Sequence, residues 1–259
     1  MTNRTTIGWT DATWNPVTGC SKISKGCANC YAAELAPRLA KMGAKGYTEL
    51  AWTAANSEAN VFLHPGRLLQ PLKISGSSKT FFTCSMSDLF HERVPDDHLD
   101  KVFAVMALAG WHTFQVLTKR AERMRDYLSD PTRRGRVDQE AFEISRDELG
   151  ADSDARNWST IQWPLENLWV GTSVEDQRAA NERIPYLLDT PAAIRFLSCE
   201  PLLDGVDLCA VRCLDGAMTQ PGVDFDSGQP MGTFNALMHP GGVDWVIAGG
   251  ESGPNYRRM

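Results

Sequence analysis

The chain has 259 residues, 42% hydrophobic and 22% charged, with a net charge of −6 at pH 7 and an isoelectric point near 5.4. That length fits one large α/β barrel or two small domains with an ample core, and the acidic balance argues against a plain basic nucleic-acid-binding module. No run of about 18 apolar residues exists to span a bilayer, and the opening Met1-Thr2-Asn3-Arg4 lacks the apolar stretch of a secretory leader, so a cytoplasmic location is expected.

Residues 1–19 carry Trp9, Trp14 and the turn pair Asn15-Pro16, and a short strand is expected over 12–16. It feeds Cys20-Ser21-Lys22-Ile23-Ser24-Lys25-Gly26-Cys27-Ala28-Asn29-Cys30, three cysteines spaced C-x6-C-x2-C. The chain has seven cysteines, an odd number, and Cys84, Cys199, Cys209 and Cys213 lie far along from these three. In a reducing compartment that distribution reads as a metal-binding group plus free thiols, not a disulfide framework. Three thiolates on one loop suit three irons of a [4Fe–4S] cluster, with the fourth iron open. They equally suit three of the four ligands of a zinc ion.

From Tyr31 the positions Tyr31, Leu35, Leu39 and Met42 have helical spacing, and Pro37 is expected to kink or break that helix. Residues 43–79 show no strong element beyond an extended piece over 61–65. A rhythm then sets in. A strand over 80–84 is followed by a helix over 99–109 with a stripe at Leu99, Val102, Phe103 and Met106. A strand over 112–117 is followed by a helix over 121–128. Residues 129–163 are charge-rich and read as an insertion, with a helix over 138–149. A strand over 167–171, a helix over 176–188 and a strand over 193–197 come next. Residues 202–242 read as a second, irregular insertion with a short helix over 208–214, and a last strand covers 243–248. Short apolar strands alternating with amphipathic helices predict a parallel sheet with right-handed crossovers. The expected fold is an α/β, partial (β/α) TIM-type barrel of about six βα units, one domain over 1–259.

Compact polar clusters follow the strands: Ser85-Met86-Ser87-Asp88, Thr118-Lys119-Arg120, Thr172-Ser173-Val174-Glu175-Asp176, Ser198-Cys199-Glu200 and Gly249-Gly250-Glu251-Ser252-Gly253. In a parallel barrel all these ends share one face, where barrel enzymes build their sites. Any one cluster, such as Ser173 or Asp176, can be a helix cap alone; five in succession argue for more. Glu200 before Pro201 and Glu251 between glycines are poorly placed as caps and read as ligand groups. Lys119-Arg120 at a helix start opposes the helix dipole and points to an anionic partner. His91, His98 and His112 read as surface or packed histidines, and Cys84 and Cys199 as buried small hydrophobes.

The order strand, three-cysteine loop, helix and repeated βα units resembles the radical S-adenosylmethionine superfamily. Tyr31 supplies the aromatic residue beside the last cysteine, although the first spacing is six where the superfamily's commonest motif has three. The chain is more closely similar to a phage- and prophage-associated family of uncharacterised proteins. That family carries Trp14-Asn15-Pro16-x-x-Gly19-Cys20, Gly26-Cys27-x-x-Cys30-Tyr31-Ala32, Ser85 to His91, Leu117 to Arg120, Ser198 to Leu202 and Gly249 to Gly253, all present in order. Its members continue with another helix and strand, so the resemblance implies a truncated chain or one completed by a partner polypeptide.

The resemblance implies a [4Fe–4S] cluster on Cys20, Cys27 and Cys30 with S-adenosylmethionine on the fourth iron. A flavodoxin or ferredoxin would deliver an electron, and a 5′-deoxyadenosyl radical would abstract hydrogen from the substrate. By position, Ser87 and Asp88 are assigned to the methionine amino group, Lys119 or Arg120 to its carboxylate, Ser173 and Glu175 to ribose hydroxyls, and Glu200 or Glu251 to ribose or substrate. The phage association points to nucleic acid or a nucleotide as substrate, with Arg133-Arg134-Gly135-Arg136 as a local basic patch. Two other readings stay open: a zinc-stabilised adaptor with His64 or His91 as fourth ligand, and a metal-independent barrel hydrolase using Asp88, Glu200 and Glu251.

Overall fold

The computed structural model describes residues 5, 7–74, 76–148, 161–212, 233–239, 241–251 and 257. In chain order, β1 (Ala12–Trp14) and β2 (Val17–Thr18) lead through a single 3-10 turn, Lys25–Cys27, to α1 (Tyr31–Lys41). The short α2 (Ser57–Asn60), β3 (Phe62–Leu63) and α3 (Pro65–Leu68) fill the stretch in which no strong element was expected, and β3 pairs antiparallel with β2. The βα rhythm follows as β4 (Thr80–Thr83), α4 (Asp96–Leu108), β5 (Thr113–Thr118), α5 (Ala121–Ser129), α6 (Arg133–Glu148), β6 (Leu168–Ser173), α7 (Gln177–Asp189) and β7 (Ile194–Cys199). A two-stranded pair, β8 (Val211–Arg212) and β9 (Thr233–Phe234), precedes β10 (Trp245–Ala248).

Six strands form one parallel sheet in the order β1-β4-β5-β6-β7-β10. That order never reverses, so every crossover steps the same way and the helices gather on one face. A doubly wound sheet reverses its order at a switch point; this sheet is a barrel-like α/β arrangement that, among the described residues, is left open between β1 and β10. Register places inward residues in layers. Phe82, Gln115 and Trp169 align in one; Leu117, Gly171, Phe196 and Trp245 in the next; Ser173, Ser198 and Ile247 nearest the strand ends. Trp9, from before β1, packs on Phe82 (4.8 Å between ring centres) and Trp245 (6.1 Å), bridging the open side. The interior is thus aromatic at depth and hydroxyl-bearing at the rim.

Three expectations are corrected. Within the charge-rich stretch 129–163 the helix expected over 138–149 begins earlier, at Arg133, and its Val137, Ala141 and Ile144, at i, i+4 and i+7, pack into the main core. It covers the outer side of α4, which explains why nine of the thirteen α4 residues are buried. The basic patch is reduced, since Arg133 is buried and paired with Asp100 (2.8 Å) and Asp96 (2.9 Å) and Arg134 pairs with Asp138, while Arg134 and Arg136 stay exposed. Where a helix was expected over 208–214, Val211–Arg212 is a strand; residues 213 and 214 lie outside the described residues, as do 149–160 and Cys213.

In α1 the buried face is Ala32 and Ala36, whereas Tyr31, Leu35 and Met42 are exposed. Alanines let the helix sit close to Trp52 and Met86, forming a small satellite core that also packs Cys20 and Cys30. Pro37 lies inside the helix without ending it. Among the described residues no helix is long and apolar enough to cross a membrane.

Candidate functional site

The cysteine loop leaves the sheet at Gly19, whose φ of +82° and whose hydrogen bond to the Met86 carbonyl (2.9 Å) turn the chain toward the strand ends. A Cβ there would lie 1.8 Å from the Asn60 carbonyl oxygen, so glycine is required. The loop is short of regular structure, and side chains from three strand ends hold it.

The first grip is Asp88, from the turn after β4, on Arg120 at the start of α5 (3.1 Å). Asp88 Oδ1 accepts from the Thr118 hydroxyl (2.7 Å) and the Phe90 N–H, and Oδ2 also accepts from the Lys119 N–H. Arg120, further paired with Glu92, donates to the Ser21 hydroxyl (3.1 Å) and carbonyl and lies 3.6 Å from Cys20 Sγ. Burial, reinforced by the Asp88 charge, pushes the Cys20 thiol up to about 12 against the pull of Arg120.

The second is Glu175, after β6, whose carboxylate is held two-handed by Arg183 of α7 (2.8 and 3.4 Å) and accepts from the Gly26 N–H (3.4 Å). Burial would raise this carboxyl, but Arg183 and the Ser24 hydroxyl hold it below its ordinary value. The third is Glu251, after β10. It accepts from the Asn29 amide (2.9 Å) and pairs with Arg257, which reaches on to the Lys25 carbonyl (3.0 Å). The Arg257 hydrogen bonds bring the Glu251 carboxyl down to about 2.

Inside this frame lies a cavity of about 560 Å³. Trp9, Phe82 and Leu117 form its deep part; Cys20, Cys27 and Cys30 line it from the loop; Ser87, Asp88, Lys119, Arg120, Ser173, Glu200 and Glu251 line it from the strand ends. Every predicted site residue is therefore gathered at one rim except Glu175, which is 2% exposed and sits behind the loop.

Their chemistry differs from the expectation. Asp88, Arg120, Glu175 and Glu251 have their polar atoms engaged by other protein groups, and the Ser87 hydroxyl donates to the Val17 carbonyl (2.9 Å). The anionic partner inferred for Lys119-Arg120 is internal for Arg120. Asp176 is a helix cap, accepting from the Ala179 N–H (2.8 Å).

What remains free is small and specific. Among the described residues the carboxylate of Glu200, the ammonium of Lys119 and the hydroxyl of Ser173 have no hydrogen-bond or ion-pair partner, and all three face the cavity. Glu200 is half-buried, and burial raises its pKa with no charge to oppose it. It passes so close to Gly249 that a Cβ there would lie 2.4 Å from its Oε1.

The histidines proposed as a fourth zinc ligand are occupied. His91 Nε2 meets the Ser21 hydroxyl (2.9 Å) and Nδ1 accepts from the Arg93 N–H; His64 Nε2 meets the Thr18 hydroxyl (2.7 Å). Neither lines the cavity. Among the described residues no three Cys, His, Asp or Glu side chains converge closely enough to hold one metal ion. A two-carboxylate hydrolase site is likewise missing its second free acid, since Asp88 and Glu251 are held by arginines.

Sequence reasoning missed the gripping partners Arg183, Asn29 and Arg257; Cys84 is buried in the core as expected, but its place at the cavity was not foreseen. Cys84 closes β4 in the left-handed region (φ 64°), lines the cavity and is 2% exposed, with burial raising its thiol to about 12. A non-glycine residue held in that conformation is a recurrent mark of functional sites. Cys199 packs in the core as expected.

No curated protein and no solved structure matches the chain. A match that runs over residues 4–259 identifies its kin: the chain belongs to the family described as protein of unknown function, DUF5131.

Proposed function

We propose that this protein is a radical S-adenosylmethionine enzyme whose [4Fe–4S] cluster is held by Cys20, Cys27 and Cys30. The observation that carries the reading is that these three cysteines, with the free Lys119 and Glu200, line a single cavity at the strand ends of an open parallel barrel. The donor set fits a cluster better than a zinc ion. His64 and His91, offered as zinc's fourth ligand, bond to hydroxyls and do not line the cavity, and three thiols of one loop suit a cluster whose fourth iron is open.

When bound, the cluster with S-adenosylmethionine supplies reductive cleavage chemistry that ends in hydrogen abstraction from a substrate. The chain's own residues do the rest. Arg120, 3.6 Å from Cys20 Sγ, offers positive charge to a thiolate there. Lys119 binds a ligand carboxylate, while Glu200 and Ser173 take hydroxyl groups such as those of a ribose. Trp9, Phe82 and Leu117 present an apolar surface that excludes water from the reacting centre. A flavodoxin or ferredoxin as electron donor and a nucleotide or nucleic acid as substrate belong to the same proposal.

Anaerobic reconstitution with iron and sulfide tests it. The expected protein is brown, absorbs near ~400 nm and cleaves S-adenosylmethionine after reduction; Cys20→Ala, Cys27→Ala and Cys30→Ala each lose the cluster. Stoichiometric zinc with no cluster after reconstitution overturns the reading.

A further inference from the structure

The acid after β6 was expected to touch ribose, yet it lies behind the cysteine loop with both oxygens engaged. Its anchorage is unusually complete. Arg183 holds the carboxylate and also donates to the Ser173 carbonyl (2.7 Å). The Glu175 carbonyl accepts from the Leu203 N–H (2.8 Å) and the Asp204 N–H, so the segment after β7 fixes the same residue. The loop meets this anchor at its apex. Gly26 is buried within the 3-10 turn, and a Cβ there would press on the carboxylate at 3.0 to 3.3 Å. The Ser24 hydroxyl, two residues before Gly26, lies 3.7 Å from Cys27 Sγ.

Burying an acid–arginine pair seldom stabilises a fold more than apolar packing does; its distinctive use is to fix one arrangement among several. A buried N–H such as that of Gly26 needs an acceptor, and only a residue rooted in the sheet supplies one that does not move with the loop.

We propose that Glu175, locked by Arg183, is the positioning residue of the cysteine loop: it sets where Cys27 presents its sulfur and touches no ligand itself. The inference rests on the reading of the three cysteines as cluster ligands, but its test does not need a cluster. In metal-free full-length protein, alkylation of Cys27 is measured by mass spectrometry relative to the exposed Cys209.

Glu175→Ala is expected to raise the Cys27 to Cys209 ratio about fivefold, the factor set by losing one hydrogen bond. Glu175→Gln, which restores an acceptor without the charge, is expected to bring it back to within about twofold of wild type. Asp100→Asn is the control: it weakens the buried Arg133 pair away from the loop and should lower the melting temperature while leaving the ratio unchanged. Gly26→Ala disturbs the same contact from the loop side and is expected to raise the ratio even where Glu175→Ala fails to fold.

A wild-type ratio in folded Glu175→Ala, or an Asp100→Asn rise as large as that of Glu175→Ala, overturns the proposal. Iron retained per chain after reconstitution should follow the same ranking. If wild type retains none, the cluster reading fails and the thiol ratios still decide the positioning role.

Discussion

Among the described residues Glu200 differs from the other acids around the cysteine loop in having no hydrogen-bond or ion-pair partner. Asp88, Glu175 and Glu251 each answer an arginine, and replacing any of them strands a cation. Glu200 answers nothing among the described residues, so its charge is kept at a desolvation cost that a ligand would relieve. Glu200→Gln in the reconstituted protein is expected to weaken S-adenosylmethionine binding about 10- to 100-fold, the range set by one charge-assisted hydrogen bond. Stability should change by no more than about 0.5 kcal/mol. Calorimetric titration and urea unfolding read the two quantities; unaltered affinity would remove Glu200 from the binding site. The types of the rim residues were legible in the chain, because hydroxyls and acids directly after apolar runs stand out. Their pairings were not. Asp88 and Arg120 belong to turns after neighbouring strands, and Arg183 lies two helical turns beyond Glu175, so no local spacing rule connects them.

Helix α6 teaches the corresponding lesson one level up. Its sequence is dominated by charge, which reads as an insertion, yet three apolar positions suffice because α4 already offers a wide apolar surface. The decisive residue is Arg133, with only 3% of its side chain exposed. It is wedged between Asp100, Asp96 and Asp130 and lies 3.8 Å above the Tyr127 ring. Removing one member of a buried ionic group leaves the others uncompensated. Arg133→Met is therefore expected to destabilise the protein by about 3–5 kcal/mol, measured by urea unfolding; a loss below about 1 kcal/mol would mean the group behaves as a surface pair. Helix α1 inverts the pattern. Tyr31 and Leu35 face outward while Ala32 and Ala36 face inward with Leu39 packed beside them, because the cysteine loop demands a close neighbour. Periodicity finds that helix but does not say which of its apolar positions are covered.

For the molecule as a whole, the strand rhythm was legible because strands covered on both sides are plain apolar runs. A partial barrel was expected, but that β1 and β10 flank its opening was not legible, since nothing local tells an edge strand from a central one. Global stability carries a further signature. His64, His91, His98 and His112 are all buried, and burial lowers the pKa of each, to about 4 for His64 and His91. The unfolded value is about 6.5. Between those values the unfolded chain binds protons that the folded one refuses, so this stability is fully present above about pH 6.5 and is lost as pH falls toward about 4. The slope is at most about 1.4 kcal/mol per pH unit for each histidine. Urea midpoints at about pH 7.5 and about pH 5 should show the fall, and His64→Asn should make it shallower; a flat profile would contradict buried neutral imidazoles.

The open seam gives the third grip a second meaning. The cysteine loop grows from the β1 lip and Glu251 from the β10 lip, so the Asn29–Glu251 and Lys25–Arg257 contacts stitch together two edges that share no ladder hydrogen bonds among the described residues. Whatever orders the loop then also draws the edges together, and by reciprocity anything that parts them loosens the loop by the same free energy. Filling the cavity and closing the wall around it are two readings of one equilibrium.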